Sequence, residues 1–160
     1  MKKTIEIPVY ETIERGPHTV LIRPEWKASL LEDLLGDFAS VAPQERRVYG
    51  HGRVEHFSYS PRGASGRIFI RRATRGGLIG AVLGGLYAGI ERPLRELRAA
   101  TAARAAGVGI PEPIAVVVTR VAGPFCRFTV AMREIEGARD LLTLASSQEP
   151  SAKRAMIGRV

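Results

Sequence analysis

A single cysteine, Cys126, is present, so no disulfide can close within the chain, a usage that fits a reducing compartment. Cys126 and three scattered histidines, His18, His51 and His56, form no spaced ligand set for a metal. Aromatic residues are 6% of the chain, and few interleave with arginines as base-stacking platforms would require. The apolar, glycine-rich piece from Leu78 to Ile90 has 13 residues, short of the roughly 20 that a membrane-crossing helix needs. Met-Lys-Lys at the start runs into Thr-Ile-Glu-Ile-Pro, which lacks the apolar centre of a signal peptide. No acidic residue occurs between Glu55 and Glu91, and five arginines (Arg62, Arg67, Arg71, Arg72, Arg75) fall in that gap.

What is present suits one folded unit. The 160 residues are 45% hydrophobic and 25% charged, enough to form a core and too apolar for general disorder. The formal net charge is +8 and the pI about 10.4. Such a surface attracts polyanions, whether nucleic acid, anionic lipid or a phosphorylated glycan.

Along the chain, Thr4 to Tyr10 alternates as a short strand, and His18 to Ile22 is another. Pro24 opens a helix with Trp26, Leu30, Leu31, Leu34 and Leu35 at helical spacing, closed by Gly36 and Ala42-Pro43. Arg46 to Thr74 reads as a hairpin or small meander: Val54 and Phe57–Tyr59, a turn at Pro61–Gly66, then Ile68–Ile70. The glycine-rich piece is either a packed connector or an apolar face resting on a membrane between cations, and the reading favours packing. Pro93 sits in the first turn of a long helix that runs through Leu94, Leu97 and Ala105 to a stop at Gly107. Pro111 and Pro113 force an extended lead-in to a β-branched strand, Ile114–Val121. Gly123-Pro124 turns the chain into a return strand, Phe125–Ile135, which Gly137 breaks. Asp140 caps a short helix over Leu141, Leu142 and Leu144, and Ser151 starts a last one.

The order is strand, strand, helix, strand, strand, short helix, two hairpins flanking one long helix, and it places a strand-end cation ahead of a helix glutamate. At this point the chain resembles the lipopolysaccharide kinase family, most closely the 3-deoxy-D-manno-octulosonic acid (Kdo) kinases. The segments that carry the likeness are Gly50-His-Gly52-Arg-Val54, Arg71-Arg-Ala-Thr-Arg75-Gly-Gly-Leu78, Arg92-Pro-Leu-Arg95-Glu96-Leu97, Gly107 to Pro113, and Ile135-Glu-Gly137-Ala138. The resemblance implies an α+β fold, the protein-kinase-like N-terminal lobe with an antiparallel sheet and one long helix. It divides the chain into an N-terminal extension (1–45), that lobe with its hinge (46–137), and the start of a C-terminal lobe (138–160).

The resemblance further implies phosphate transfer from ATP, with Mg2+, to a sugar hydroxyl of the lipid A–core glycolipid in lipopolysaccharide biosynthesis. The setting is cytoplasmic, peripheral on an inner membrane. Gly50 and Gly52 match the loop whose backbone N–H groups cover the phosphates. Arg71 takes the strand position of the ATP-contacting lysine, since Ile68-Phe69-Ile70-Arg71 parallels Val-Ala-Ile-Lys, and arginine can fork two phosphate oxygens. Glu96 matches the helix glutamate that orients that cation. Arg133 and Ile135 match the hinge that offers backbone groups to adenine. Outside the resemblance, each also reads blandly: a plain turn for the glycines, a surface cation for Arg71, a dipole-favoured acid for Glu96, an edge strand for the hinge.

No catalytic or metal residue of the family pattern carries over. The chain has no asparagine, and Asp33, Asp37 and Asp140 stand outside a His-x-Asp-Leu-x-x-x-x-Asn context. The expectation is therefore a lobe that lacks its catalytic half, inactive alone, with the missing lobe lost from a fragment or carried by a separate chain. Two alternatives remain: a basic nucleic-acid-binding module, and a non-catalytic, membrane-associated partner protein.

Overall fold

A computed structural model describes residues 7–36, 56–63, 66–73 and 85–135. Among them seven strands form one antiparallel sheet: β1 (Glu11–Arg15), β2 (His18–Ile22), β3 (His56–Tyr59), β4 (Ile68–Arg72), β5 (Tyr87–Ala88), β6 (Pro113–Ala122) and β7 (Phe125–Arg133). Two helices accompany it, α1 (Pro24–Leu35) and α2 (Glu91–Ala105). The strand order is β1-β2-β6-β7-β4-β3, and β5 pairs with the start of β7 at Tyr87↔Cys126. The fold is thus α+β, as read from the sequence. Because β2 pairs with β6 from His18↔Thr119 to Ile22↔Ala115, the first hairpin joins the same sheet as the described strands that follow.

The two faces of the sheet are sorted by strand alternation. On one face Val20, Ile22, Ile68, Ile70, Val117 and Ala131 meet Trp26, Leu30, Leu31 and Leu34 of α1. On the other, Leu21, Val116, Val118, Phe128 and Val130 meet Leu94 and Leu97 of α2, with Tyr87 beside them. The Tyr87 and Phe128 rings pack tilted, centroids 4.7 Å apart. Pro24 stands at the start of α1, where its missing N–H costs nothing, and the Gly36 N–H closes that helix on the Glu32 carbonyl at 3.0 Å. Gly107, at φ +82°, ends α2 in the left-handed region that glycine adopts without penalty.

The strand expected at Thr4 to Tyr10 is a turn over its described part. Ile7 to Tyr10 is a turn, with the Tyr10 N–H donating to the Ile7 carbonyl at 3.1 Å, and the strand follows at Glu11–Arg15. Thr4 to Glu6, the start of the expected strand, lie outside the described residues. β1 is a largely exposed edge strand with weak apolar patterning, defined by its pairing with β2 across the Gly16-Pro17 turn. The short β5 was also missed, since two residues carry no period. Val54, Ala42-Pro43, residues 78–84 of the glycine-rich piece, and the helices expected at Asp140 and Ser151 lie outside the described residues. The described end of that glycine-rich piece is packed: Tyr87 is 2% exposed, and a Cβ on Gly85 would meet the Ala73 carbonyl at 2.8 Å.

Candidate functional site

β4 aims alternate side chains at opposite layers. Ile68 and Ile70 are fully buried on the α1 side, so Phe69 and Arg71 face α2, across from Met132 and Val130 of β7. Leu94 and Leu97, each 2% exposed, seat α2 on the sheet. That seating brings Glu96 toward the end of β4, where its Oε2 lies 3.6 Å from Arg71 Nη2. The separation is that of an ion pair rather than a hydrogen bond. Glu96 Oε1 accepts from Arg92 Nε at 3.1 Å, one helical turn away. Arg92 in turn lies over the Tyr87 ring, 4.9 Å from its centroid.

One carboxylate therefore serves two guanidinium groups, and the site keeps a net positive charge. Arg71 Nε is buried and has no hydrogen-bond partner, while its side chain as a whole is about two-fifths exposed. A guanidinium with unspent donors, held from one side by a carboxylate, is suited to fork two oxygens of a phosphate.

The end of β7 is fastened on both sides. Toward β6, the Arg133 N–H donates to the Glu112 carbonyl at 2.8 Å, and Arg133 Nε donates to Glu112 Oε2 at 2.8 Å. The other Glu112 oxygen pairs with Arg23 Nη1 at 2.8 Å, which also holds Glu25 at 2.9 Å. Arg133 lies over the Trp26 ring at 5.3 Å and Arg23 over the Tyr10 ring at 5.9 Å. Burial alone would pull the Arg23 pKa down, but Glu25, Tyr10 and Glu112 outweigh it and hold the pKa above the ordinary arginine value.

Toward β4, the Glu134 N–H donates to the Arg67 carbonyl at 3.0 Å. Its carboxylate accepts from Arg67 Nε at 2.9 Å and from the Ser58 hydroxyl. The Arg133 N–H is thus spent on Glu112 and is not offered to a ligand at this end of the strand. Ile135 is half exposed just beyond.

Of the residues singled out from the sequence, the structure brings Arg71 and Glu96 together and places Arg133 and Ile135 at the far end of the neighbouring strand. Gly50 and Gly52 lie outside the described residues. Sequence reasoning missed the Arg23–Glu112–Arg133 bridge. Its signal was a glutamate between two prolines, Pro111 and Pro113, whose rigid backbone holds the side chain at the mouth of β6. No protein-family model, curated protein sequence or solved structure matches the chain.

Proposed function

We propose that this chain is the nucleotide-binding lobe of an ATP-dependent sugar kinase like those of the lipopolysaccharide kinase family. The acceptor would be a hydroxyl of the lipid A–core glycolipid. The observation that carries the reading is the Arg71–Glu96 pair, a strand-end cation joined at 3.6 Å to a glutamate on the helix that follows. Support comes also from the strand that enters the expected hinge: β7 lies beside β4 and delivers Arg133 and Ile135 at its end. In this reading Arg71 grips the triphosphate, Glu96 orients Arg71, and the backbone at Arg133 and Ile135 meets adenine. Mg2+ arrives with the triphosphate and neutralises its oxygens. The general base and the metal ligands are assigned to a separate catalytic lobe. The setting is the cytoplasmic surface of an inner membrane. Among the described residues no helix is long and apolar enough to cross a membrane.

Calorimetric titration of the purified chain with Mg-ATP tests the proposal. Saturable binding is expected, weakened about 10- to 100-fold by Arg71→Ala, as for loss of hydrogen bonds between charged groups. Glu96→Gln should weaken it less. Absent binding, or binding indifferent to Arg71, overturns the reading. Phosphate transfer by the chain alone would overturn the assignment of the chemistry to another lobe. A steep salt-dependent affinity for duplex DNA, with no response to ATP, would favour the nucleic-acid module instead.

A further inference from the structure

The β6–β7 hairpin carries a second feature, at the opposite end of the sheet from Arg133. From Pro113 to Arg133 the sequence has no acidic residue. Its tip, Val121-Ala122-Gly123-Pro124-Phe125, is exposed throughout, with Val121 at 49% and Phe125 at 40%. Exposed arginines flank the tip on both strands, Arg120 on β6 and Arg127 on β7. Arg72 comes to the same end of the sheet, in register with Thr129. The acidic side chains nearby, Glu14 on β1 and Glu91 at the start of α2, belong to other elements.

The tip is held firmly. The Arg120 N–H donates to the Pro17 carbonyl at 2.9 Å, the Gly89 N–H to the Pro124 carbonyl at 2.8 Å, and the Cys126 thiol to the Gly89 carbonyl at 3.0 Å. Two neighbouring segments, at Pro17 and Gly89, thus brace an apolar point ringed by cations, and little ordering remains to be done on binding.

We infer that this hairpin tip docks on an anionic lipid bilayer. Val121, Pro124 and Phe125 enter the boundary between headgroups and acyl chains, and Arg120 and Arg127 meet lipid phosphates. The chemistry is that of interfacial binding by a small apolar surface plus attraction to anionic lipid. Charge complementarity selects this occupant: the hairpin is wholly basic, and its apolar residues are clustered at the point rather than interleaved with the cations as a nucleic-acid platform would have them. From Phe125 to Arg133 the strand spans ~27 Å at ~3.4 Å per residue. Docking by the tip therefore leaves the Arg133 end free for ligand. The inference rests on the hairpin and does not require the nucleotide chemistry proposed above.

The test is co-sedimentation of the full chain with phosphatidylcholine vesicles, with and without about one-third phosphatidylglycerol. Binding should require the anionic lipid and weaken with salt. The Arg120→Gln/Arg127→Gln double variant should lower partitioning about 25-fold, roughly fivefold per arginine, and Phe125→Ala about fivefold. A control that removes the same charge elsewhere, Arg62→Gln/Arg98→Gln, should lower it by less than about twofold. Thermal melts confirm that each variant is folded, and Mg-ATP titration of the same variants should be unchanged. Equal losses in tip and control variants, no binding to anionic vesicles, or binding to duplex DNA through the tip in their place would each overturn the inference.

Discussion

Glu112 holds the two halves of the sheet end together, and its replacement is the sharpest test of the packing. Its side chain is 15% exposed and divides its oxygens between Arg23 and Arg133, each at 2.8 Å. Glu112→Ala leaves both arginines without that partner. Arg23 is the more costly, because its side chain is only 20% exposed and its Nε is already buried without a partner. It keeps Glu25, and Arg133 is nearly half exposed and keeps its place over Trp26. Losing one fully buried partner costs about 3–5 kcal/mol, and a hydrogen bond to a charged group about 1.5–3 kcal/mol. The partial exposure here puts the loss at the lower level, about 2–3 kcal/mol. For a chain of this size that is a fall in Tm of about 5–10 °C. Urea unfolding of Glu112→Ala, Arg23→Met and the double variant would measure it, with a coupling of at least about 1 kcal/mol expected in the cycle. A single-variant loss below about 0.5 kcal/mol, or strict additivity in the cycle, would refute the bridge.

Other perturbations follow from individual positions. Leu94→Ala opens a cavity under α2 at a residue only 2% exposed. It should cost about 2–5 kcal/mol in urea unfolding and should weaken Mg-ATP binding, because α2 positions Glu96. Gly85→Ala would drive a methyl group to 2.8 Å from the Ala73 carbonyl, so a loss of about 1–3 kcal/mol is expected from thermal melts. Val9 is a β-branched residue at φ +80°. Val9→Gly should raise stability by about 0.5–1 kcal/mol, the relief of strain exceeding the entropy that glycine adds. Burial raises the Cys126 thiol pKa, so its contribution to stability is full below the ordinary thiol pKa and is lost as pH rises through the folded value. Iodoacetamide labelling of the native chain at neutral pH should be slow beside that of the unfolded chain.

How far the sequence could be read depended on whether an element is determined locally. α1 was legible because Pro24, a leucine stripe and Gly36 mark start, face and stop within one segment. β6 and β7 were legible because β-branched runs flank a Gly-Pro turn. β1 was not, because Glu11–Arg15 is a strand by virtue of its partner β2 and carries little burial of its own. The Arg71–Glu96 pairing was expected only through the family resemblance. Spacing cannot bring a strand residue to a helix residue across a segment of that length, and the contact exists because Leu94 and Leu97 seat α2 on the face that Arg71 shares. The Arg23–Glu112–Arg133 bridge joins three segments distant in sequence, so the Pro-Glu-Pro signal could mark Glu112 but not name its partners.

These contacts bear on how the proposed site would behave. Glu96 is shared, and the pair it makes with Arg71 is exposed on both sides, so by itself it adds at most about 1 kcal/mol to the fold. A contact so weak for stability is easily rearranged by a ligand that outcompetes the carboxylate for the guanidinium. The end of β7, by contrast, is tied by Glu112 on one side and by Arg67 and Ser58 on the other, a fixed edge against which a ligand can be placed. Glu96→Gln separates these roles. It should leave the melting temperature within about 2 °C of the native chain, since an exposed ion pair is worth so little. It should still weaken Mg-ATP binding several-fold if the carboxylate orients Arg71. A large loss of stability with unchanged nucleotide affinity would make the pair structural and remove the main support for the proposed function.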